Sequence, residues 1–169
     1  MFTTLDARKT DELYLVRRSW FSPEYELTDN ANCYGRIKYH RLSGRKATAT
    51  AANETWIFKR EAAFSRTLLT TDQNDALIAE ATRDWLGRRI ILILQTGFRA
   101  EFYRPSMWSR NSVWTSGDHG DIMHFTSNCF SLTDTIHIDQ STAPKQLIPL
   151  LTFLGGYLVI LRRLRSARH

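Results

Sequence analysis

Residues 146–161 carry no charge, and a helix built from them is apolar on every side. Leu147, Leu150, Leu151, Leu154, Leu158 and Leu161 form one stripe, and Ile148, Phe153, Val159, Ile160 and Leu164 cover much of the rest. Such a helix has two homes, a protein core or lipid. At about 1.5 Å per residue the run spans roughly 24 Å, short of the ~30 Å hydrocarbon thickness of a bilayer. It also contains Pro149 near its start and Gly155-Gly156 in its middle, and ends in Arg162, Arg163, Arg165 and Arg168. Either home fixes the rest of the molecule: a core must be built around the helix, or a head carried beside it.

The remainder of the chain reads as short strands. In "CYGRIKYHR" (33–41), Ile37 and Tyr39 point one way and Arg36, Lys38 and His40 the other. "KATATAA" (46–52) sets Ala47, Ala49 and Ala51 on one face. "ETWIFKR", "SRTLLTT", "ALIAEATR", "RIILILQ", "AEFYR", "NSVWTS", "DIMHFTS" and "DTIHID" follow, and "LYLVRR" and "YELTD" precede. Turn signals separate them at Ala52-Asn53, Ser43-Gly44, Asp72–Asp75, Gly87, Gly97 and "SGDHGD" (116–121). About twelve strands at roughly ten-residue spacing are the pattern of an all-β sandwich or barrel. "DQNDALIAEATRDWLGRR" also fits an amphipathic helix, but the alternation of Leu77, Ala79 and Ala81 against Glu80 and Thr82 favours a strand. "RIILILQ" is apolar on both faces and leaves isoleucines such as Ile91 and Ile93 on the exterior. No linker, low-complexity tract or short repeat stands out.

About twelve strands closed into a barrel enclose a lumen too wide for side chains alone. A helix about 10 Å across fills it. The expected fold is therefore a single all-β domain over 1–169, a closed barrel with strands over about 12–140 around a buried helix over about 144–165. Ala47/Ala49/Ala51 and Ala79/Ala81 are the small inward faces expected where that helix passes, with Gly155-Gly156 allowing close approach from its side. The alternative is a tail-anchored membrane protein with a β-rich cytosolic head, oriented by the terminal arginines.

"ETWIFKR" with the following "LIAEAT" strand, the hairpin "VWTSGDHGDIMHF", and "DTIHID" leading into "LIPLLTFLGGYLVILRRLR" resemble the tubby C-terminal-like superfamily, which includes the phospholipid scramblases. The resemblance is one of pattern and order along most of the chain. It implies a twelve-stranded barrel around a central helix, common association with lipid or membrane surfaces, and no classical enzymatic chemistry. Scramblases carry an acidic calcium-binding segment in the region of "TDTIHID", but Asp134, His137 and Asp139 do not supply the six to eight oxygens calcium needs. Calcium is not carried over.

The residues themselves point to binding rather than catalysis. There is no G-x-S-x-G elbow, P-loop or G-x-G-x-x-G, so no catalytic residue and no cofactor is assigned. Asp118, His119, Asp121 and His124 have the side chains of a divalent-metal site, yet Gly117, Asp118 and Gly120 are equally what a hairpin turn requires. The turn is preferred and no metal is assigned. The net charge of +6 and pI near 9.6 suit an anionic partner, though the tail arginines account for much of the excess. The densest cationic group outside the tail is Arg36, Lys38 and His40 with Arg41, Arg45 and Lys46, the candidate site for an anionic phospholipid. Phe102, Tyr103, Trp108 and Trp114 with Arg104 and Arg110 form a stacking set for nucleic acid. A nucleic-acid-binding barrel is thus a further alternative, disfavoured because the rest of the domain is only mildly basic. A homo-oligomer or a protein partner covering exposed apolar strand surface is also compatible. The acidic opening "MFTTLDARKTDEL" lacks an apolar run, and with only Cys33 and Cys129 two reduced, buried thiols are expected. The expected location is cytoplasmic, peripheral at a membrane.

Overall fold

The computed structural model describes residues 1–6, 9–40, 46–128, 130–139 and 144–167. Twelve antiparallel strands form one closed barrel in sequence order, with β1 (Glu12–Arg17) pairing β12 (Thr133–Ile138) to complete it. Between them run β2 (Glu24–Thr28), β3 (Cys33–His40), β4 (Lys46–Ala51), β5 (Thr55–Arg60), β6 (Thr67–Thr71) and β7 (Leu77–Arg83). They are followed by β8 (Arg89–Leu94), β9 (Arg99–Tyr103), β10 (Asn111–Ser116) and β11 (Gly120–Thr126). A short 3-10 turn, Lys145–Leu147, leads into α1 (Ile148–Ser166). The strand reading of 76–83 holds and the helical one does not. Leu77–Arg83 pairs with β6 and β8, and Ala79 and Ala81 face inward.

The apolar tail is core. Ile148 and every residue from Leu150 to Leu161 are buried inside the barrel, although α1 with its 3-10 turn is long and apolar enough to cross a membrane. Burial on all sides satisfies a helix with no polar face. Trp114 Nε1 donates to the Leu151 carbonyl at 2.9 Å, a buried hydrogen bond pinning helix to wall. Thr152 Oγ1 donates to the Ile148 carbonyl at 2.7 Å, so its hydroxyl is satisfied within the helix.

The small residues fit the helix differently from expectation. The glycine pair does not meet the alanines. A Cβ on Gly155 would lie 2.6 Å from Trp114 Nε1 and closer still to Phe125, while one on Gly156 would lie 3.2 Å from Ile37 Cδ1. Helix glycines therefore oppose large wall residues. Conversely, Phe153 packs on Trp56 at 5.5 Å and Tyr157 stacks on Phe58 at 5.2 Å. Phe153 also reaches the site of a Cβ on Gly35, so β4, between β3 and β5, has room only for Ala47 and Ala49 inside. Small against large alternates between the two surfaces, which is how a close-packed interior is filled.

Candidate functional site

Strict up-and-down order sends alternate loops to opposite ends of the barrel. The loops after β2, β4, β6, β8 and β10 share one end with the entry to α1; the described loops after β1, β5, β7, β9 and β11 share the other with its exit. Contacts of the helix terminus agree. Arg162 donates to Ser112 Oγ at 2.7 Å and Ser127 Oγ at 3.1 Å, and Arg163 pairs with Asp134 at 2.6 Å.

The two ends differ sharply. The entry end displays Asp29, Glu54, Asp72, Asp75, Asp118 and Asp139, against Lys145 in the 3-10 turn and Lys9 in the N-terminal segment. The exit end displays Arg18, Arg66, Arg88, Arg104 and Arg110 against Glu61 and Asp84, together with the helix arginines. It also holds Trp20, Phe21, Phe64, Trp85, Leu86, Met107, Trp108 and Phe130, which are most of the exposed large apolar side chains of the described residues. One end is acidic and polar, the other basic and aromatic.

The exit loops repeat one construction. In "SWFS", "AAFS", "SMWS" and "NCFS", the serine N–H donates to the carbonyl three residues back: Ser22 to Ser19, Ser65 to Ala62 and Ser109 to Ser106 at 3.1 Å, Ser131 to Asn128 at 3.5 Å. The serine hydroxyl then accepts the backbone N–H two residues on, from Glu24 at 3.1 Å and from Thr67, Asn111 and Thr133 at 3.0 Å. In "DWLG" the first bond recurs from Gly87 to Asp84 at 3.2 Å, but Gly87 at φ +68 replaces serine and the Asp84 carboxylate accepts the following N–H groups. The residue before the serine or glycine is strongly exposed in each of these loops. Its exposure runs from 80% at Leu86 to 99% at Phe64. Adjacent loops are also tied together, since Arg88 Nη2 lies 3.4 Å from the Met107 sulfur and Arg66 stacks over Trp85 at 4.3 Å.

The cationic group expected on β3 is partly neutralised. Arg36 lies 3.0 Å from Glu26, which also binds Arg18, and Lys38 lies 3.8 Å from Glu24. The His40 ring nitrogen is 3.1 Å from Thr48 Oγ1. Two carboxylates of β2 thus oppose the wall cations, a cross-strand arrangement that signals sheet stabilisation. His40 and Lys46 pair at the exit end of their hairpin, and Arg41 and Arg45 lie outside the described residues.

The other sequence candidates disperse. Asp118 and His119 form a hairpin tip, His119 resting 6.2 Å from the Phe98 ring, whereas His124 sits on β11 opposite His137. Asp121 is the second residue of that strand. Among the described residues no three ligating side chains converge. Of the aromatic set, Phe102 and Trp114 are core, 4.9 Å apart, and Trp108 alone is fully at the rim. Cys33 is half-buried rather than buried, and Cys129 lies outside the described residues. Ile93 is exposed on the wall, and the N-terminal segment lies by β3, through the Thr3 N–H bond to the Cys33 carbonyl.

Among the described residues Asp134 is the one deeply buried acid at the rim. Burial pushes its carboxyl pKa up, against the opposing pull of Arg163 and the Asn128 N–H. Among the described residues one of its oxygens has no hydrogen-bond partner. At the entry end, the Tyr34 hydroxyl bonded to Asp29 at 2.6 Å, with the Asn32 and Ala31 N–H groups, overcomes some desolvation and holds Asp29 at about 2.

No family model matches this sequence, and neither do curated proteins or solved structures. The reading of function rests on the rim itself.

Proposed function

We propose that this barrel is a non-enzymatic module that docks end-on onto an anionic lipid surface, with the exit rim facing the headgroups. The supporting observation is the charge and apolar asymmetry between the two ends. Aromatic tips partition into the headgroup region, arginines around them attract acidic lipid, and the acidic end is turned away. Exposed apolar patches on a soluble domain mark interaction surfaces, and the serine-bonded loops hold these side chains outward in advance. Because acidic lipids concentrate in the cytoplasmic leaflet, the module belongs there as a peripheral protein. The resemblance of the sequence pattern to the tubby-like superfamily, in which lipid association is common, favours the same reading. The β3 wall is secondary in this scheme, since its cations face carboxylates of β2.

Co-sedimentation with vesicles of phosphatidylserine and phosphatidylcholine tests it. Taking about 1 kcal/mol for each ring partly withdrawn from water, Phe64→Ser, Trp108→Ser and Phe130→Ser together should weaken binding about a hundredfold. All three positions are exposed, so thermal stability should hold. The triple change Arg36→Ser, Lys38→Ser, Lys46→Ser should have a far smaller effect. Equal binding to pure phosphatidylcholine, or full retention by the rim variant, would refute the proposal. A wild-type dimer in solution that the rim variant abolishes, without vesicle binding, would reassign the rim to a protein partner.

A further inference from the structure

The exit rim is not a flat ring. Between the end of α1 and strands β5–β8 it opens into a cavity of about 510 Å³. The floor is apolar, made by Leu68, Ala81, Ile90, Leu158 and Leu161. Arg60, Arg66, Arg83 and Arg165 stand around it with Asp84 as the one acid, and Phe64, Trp85 and Leu86 form its lip. The one buried side chain that β7 contributes to this lining is the small Ala81. A well-packed core closes such a gap with a larger side chain. Here the space stays open to the rim.

We propose that this cavity holds a single anionic amphiphile, one acyl chain on the apolar floor and its phosphate among the arginines. The volume falls within the ~300–1,000 Å³ of ligand clefts, and an apolar lining with a few convergent polar groups is their usual chemistry. Charge complementarity selects an anion. Four guanidinium groups face one carboxylate, and that carboxylate already accepts the Arg88 and Arg89 N–H groups at 2.9 and 3.2 Å. Among the described residues Arg60 and Arg66 have no carboxylate partner; Arg60 donates to the Ala63 carbonyl at 2.7 Å and Arg66 stacks on Trp85. Guanidinium forks suit phosphate oxygens in particular. The inference rests on the membrane-facing reading of the rim for the source of the amphiphile, a lipid drawn from the surface it docks on.

Titration of the full chain with monomeric dodecyl phosphate, followed by calorimetry and Trp85 fluorescence, tests the site without any membrane. One equivalent should bind, with dodecanol about tenfold weaker or worse and inorganic phosphate showing no saturation over the same range. Ala81→Leu, which fills the floor, should abolish this binding while vesicle co-sedimentation persists. Should that variant prove unstable, Arg66→Glu, at an exposed position, should weaken dodecyl phosphate about tenfold and leave dodecanol unchanged. Equal affinity for dodecanol, binding of many equivalents, or saturable binding of inorganic phosphate alone would overturn the proposal. Vesicle binding without dodecyl phosphate binding would overturn the cavity and spare the rim; the reverse would overturn the rim and spare the cavity.

Discussion

Gly155 and Gly156 are adjacent in one helix, yet alanine should affect them very unequally. Helix propensity alone favours Gly→Ala by about 1 kcal/mol at each position. At Gly155 the new Cβ would stand 2.6 Å from Trp114 Nε1 and closer still to the Phe125 ring. Neither ring can yield cheaply, since both are buried and Phe102 packs against both at 4.9 and 5.5 Å. Overpacking of this kind costs about 3 kcal/mol at the upper end of its usual range. Displacing Trp114 also stretches its bond to the Leu151 carbonyl, worth about 1 kcal/mol. The balance is about 3 kcal/mol of destabilisation for Gly155→Ala, or a midpoint lowered by roughly 6–12 °C. At Gly156 the nearest atoms are the tips of Ile37 and Leu15, at 3.2 and 3.4 Å, and methyl groups there can move a few tenths of an ångström. A cost of about 1 kcal/mol is offset by the propensity gain, and Gly156→Ala should be nearly neutral. Urea and thermal unfolding of both variants decide it. Equal effects, or a stable Gly155→Ala, would show that the helix does not sit against Trp114 and Phe125 as described.

Removing 147–169 should abolish cooperative urea unfolding, because the barrel loses the filling of its lumen; a native-like transition in the truncated chain would refute a helix-dependent core. Arg163→Ala should cost about 3 kcal/mol near pH 7, by leaving buried Asp134 without its counter-charge. The folded pKa of Asp134 then rises further, so this cost should shrink as the pH falls through that pKa and protonation removes the charge; a pH-independent cost in urea midpoints would contradict the pairing. Asp29, held at about 2, contributes stability above its ordinary pKa of 3.8 that is lost as the pH falls towards 2. Tyr34→Phe removes the main cause and should move the Asp29 titration, followed by carboxyl NMR, back towards its ordinary value.

The fold was largely legible because its two periodicities are local. Alternation in "CYGRIKYHR" or "KATATAA" assigns an inward face from a few residues. An all-round apolar helix leaves few places to go, and a wide barrel is one of them. The pairing of surfaces was not legible in the same way. Gly155-Gly156 and the alanine runs are both small, and composition alone matched them to each other. In three dimensions small must oppose large, and which wall strand the glycines face depends on helix rotation, a property of the whole assembly.

The rim was missed for a related reason. Phe64-Ser65, Leu86-Gly87, Trp108-Ser109 and Phe130-Ser131 recur every 22 residues, with Phe21-Ser22 lying 43 before Phe64, but this period spans two strands and escapes a search for short repeats, and each turn alone reads as an ordinary one with a stray apolar residue. Only the order of strands brings alternate loops to one end. Once it does, the parity of the loop becomes the informative variable: each described turn after an odd-numbered strand carries an aromatic residue, and all of these but the one after β11 carry arginine, whereas even-numbered strands end in Asn, Asp and Gly turns. The sequence signal for the rim was therefore present as a comparison between alternate turns. The density of positive charge along one stretch led instead to β3, where Glu24 and Glu26 of the neighbouring strand oppose Lys38 and Arg36. A linear cluster measures charge along the chain, whereas a docking surface is set by which charges remain uncompensated across strands. On this barrel the two criteria select different places.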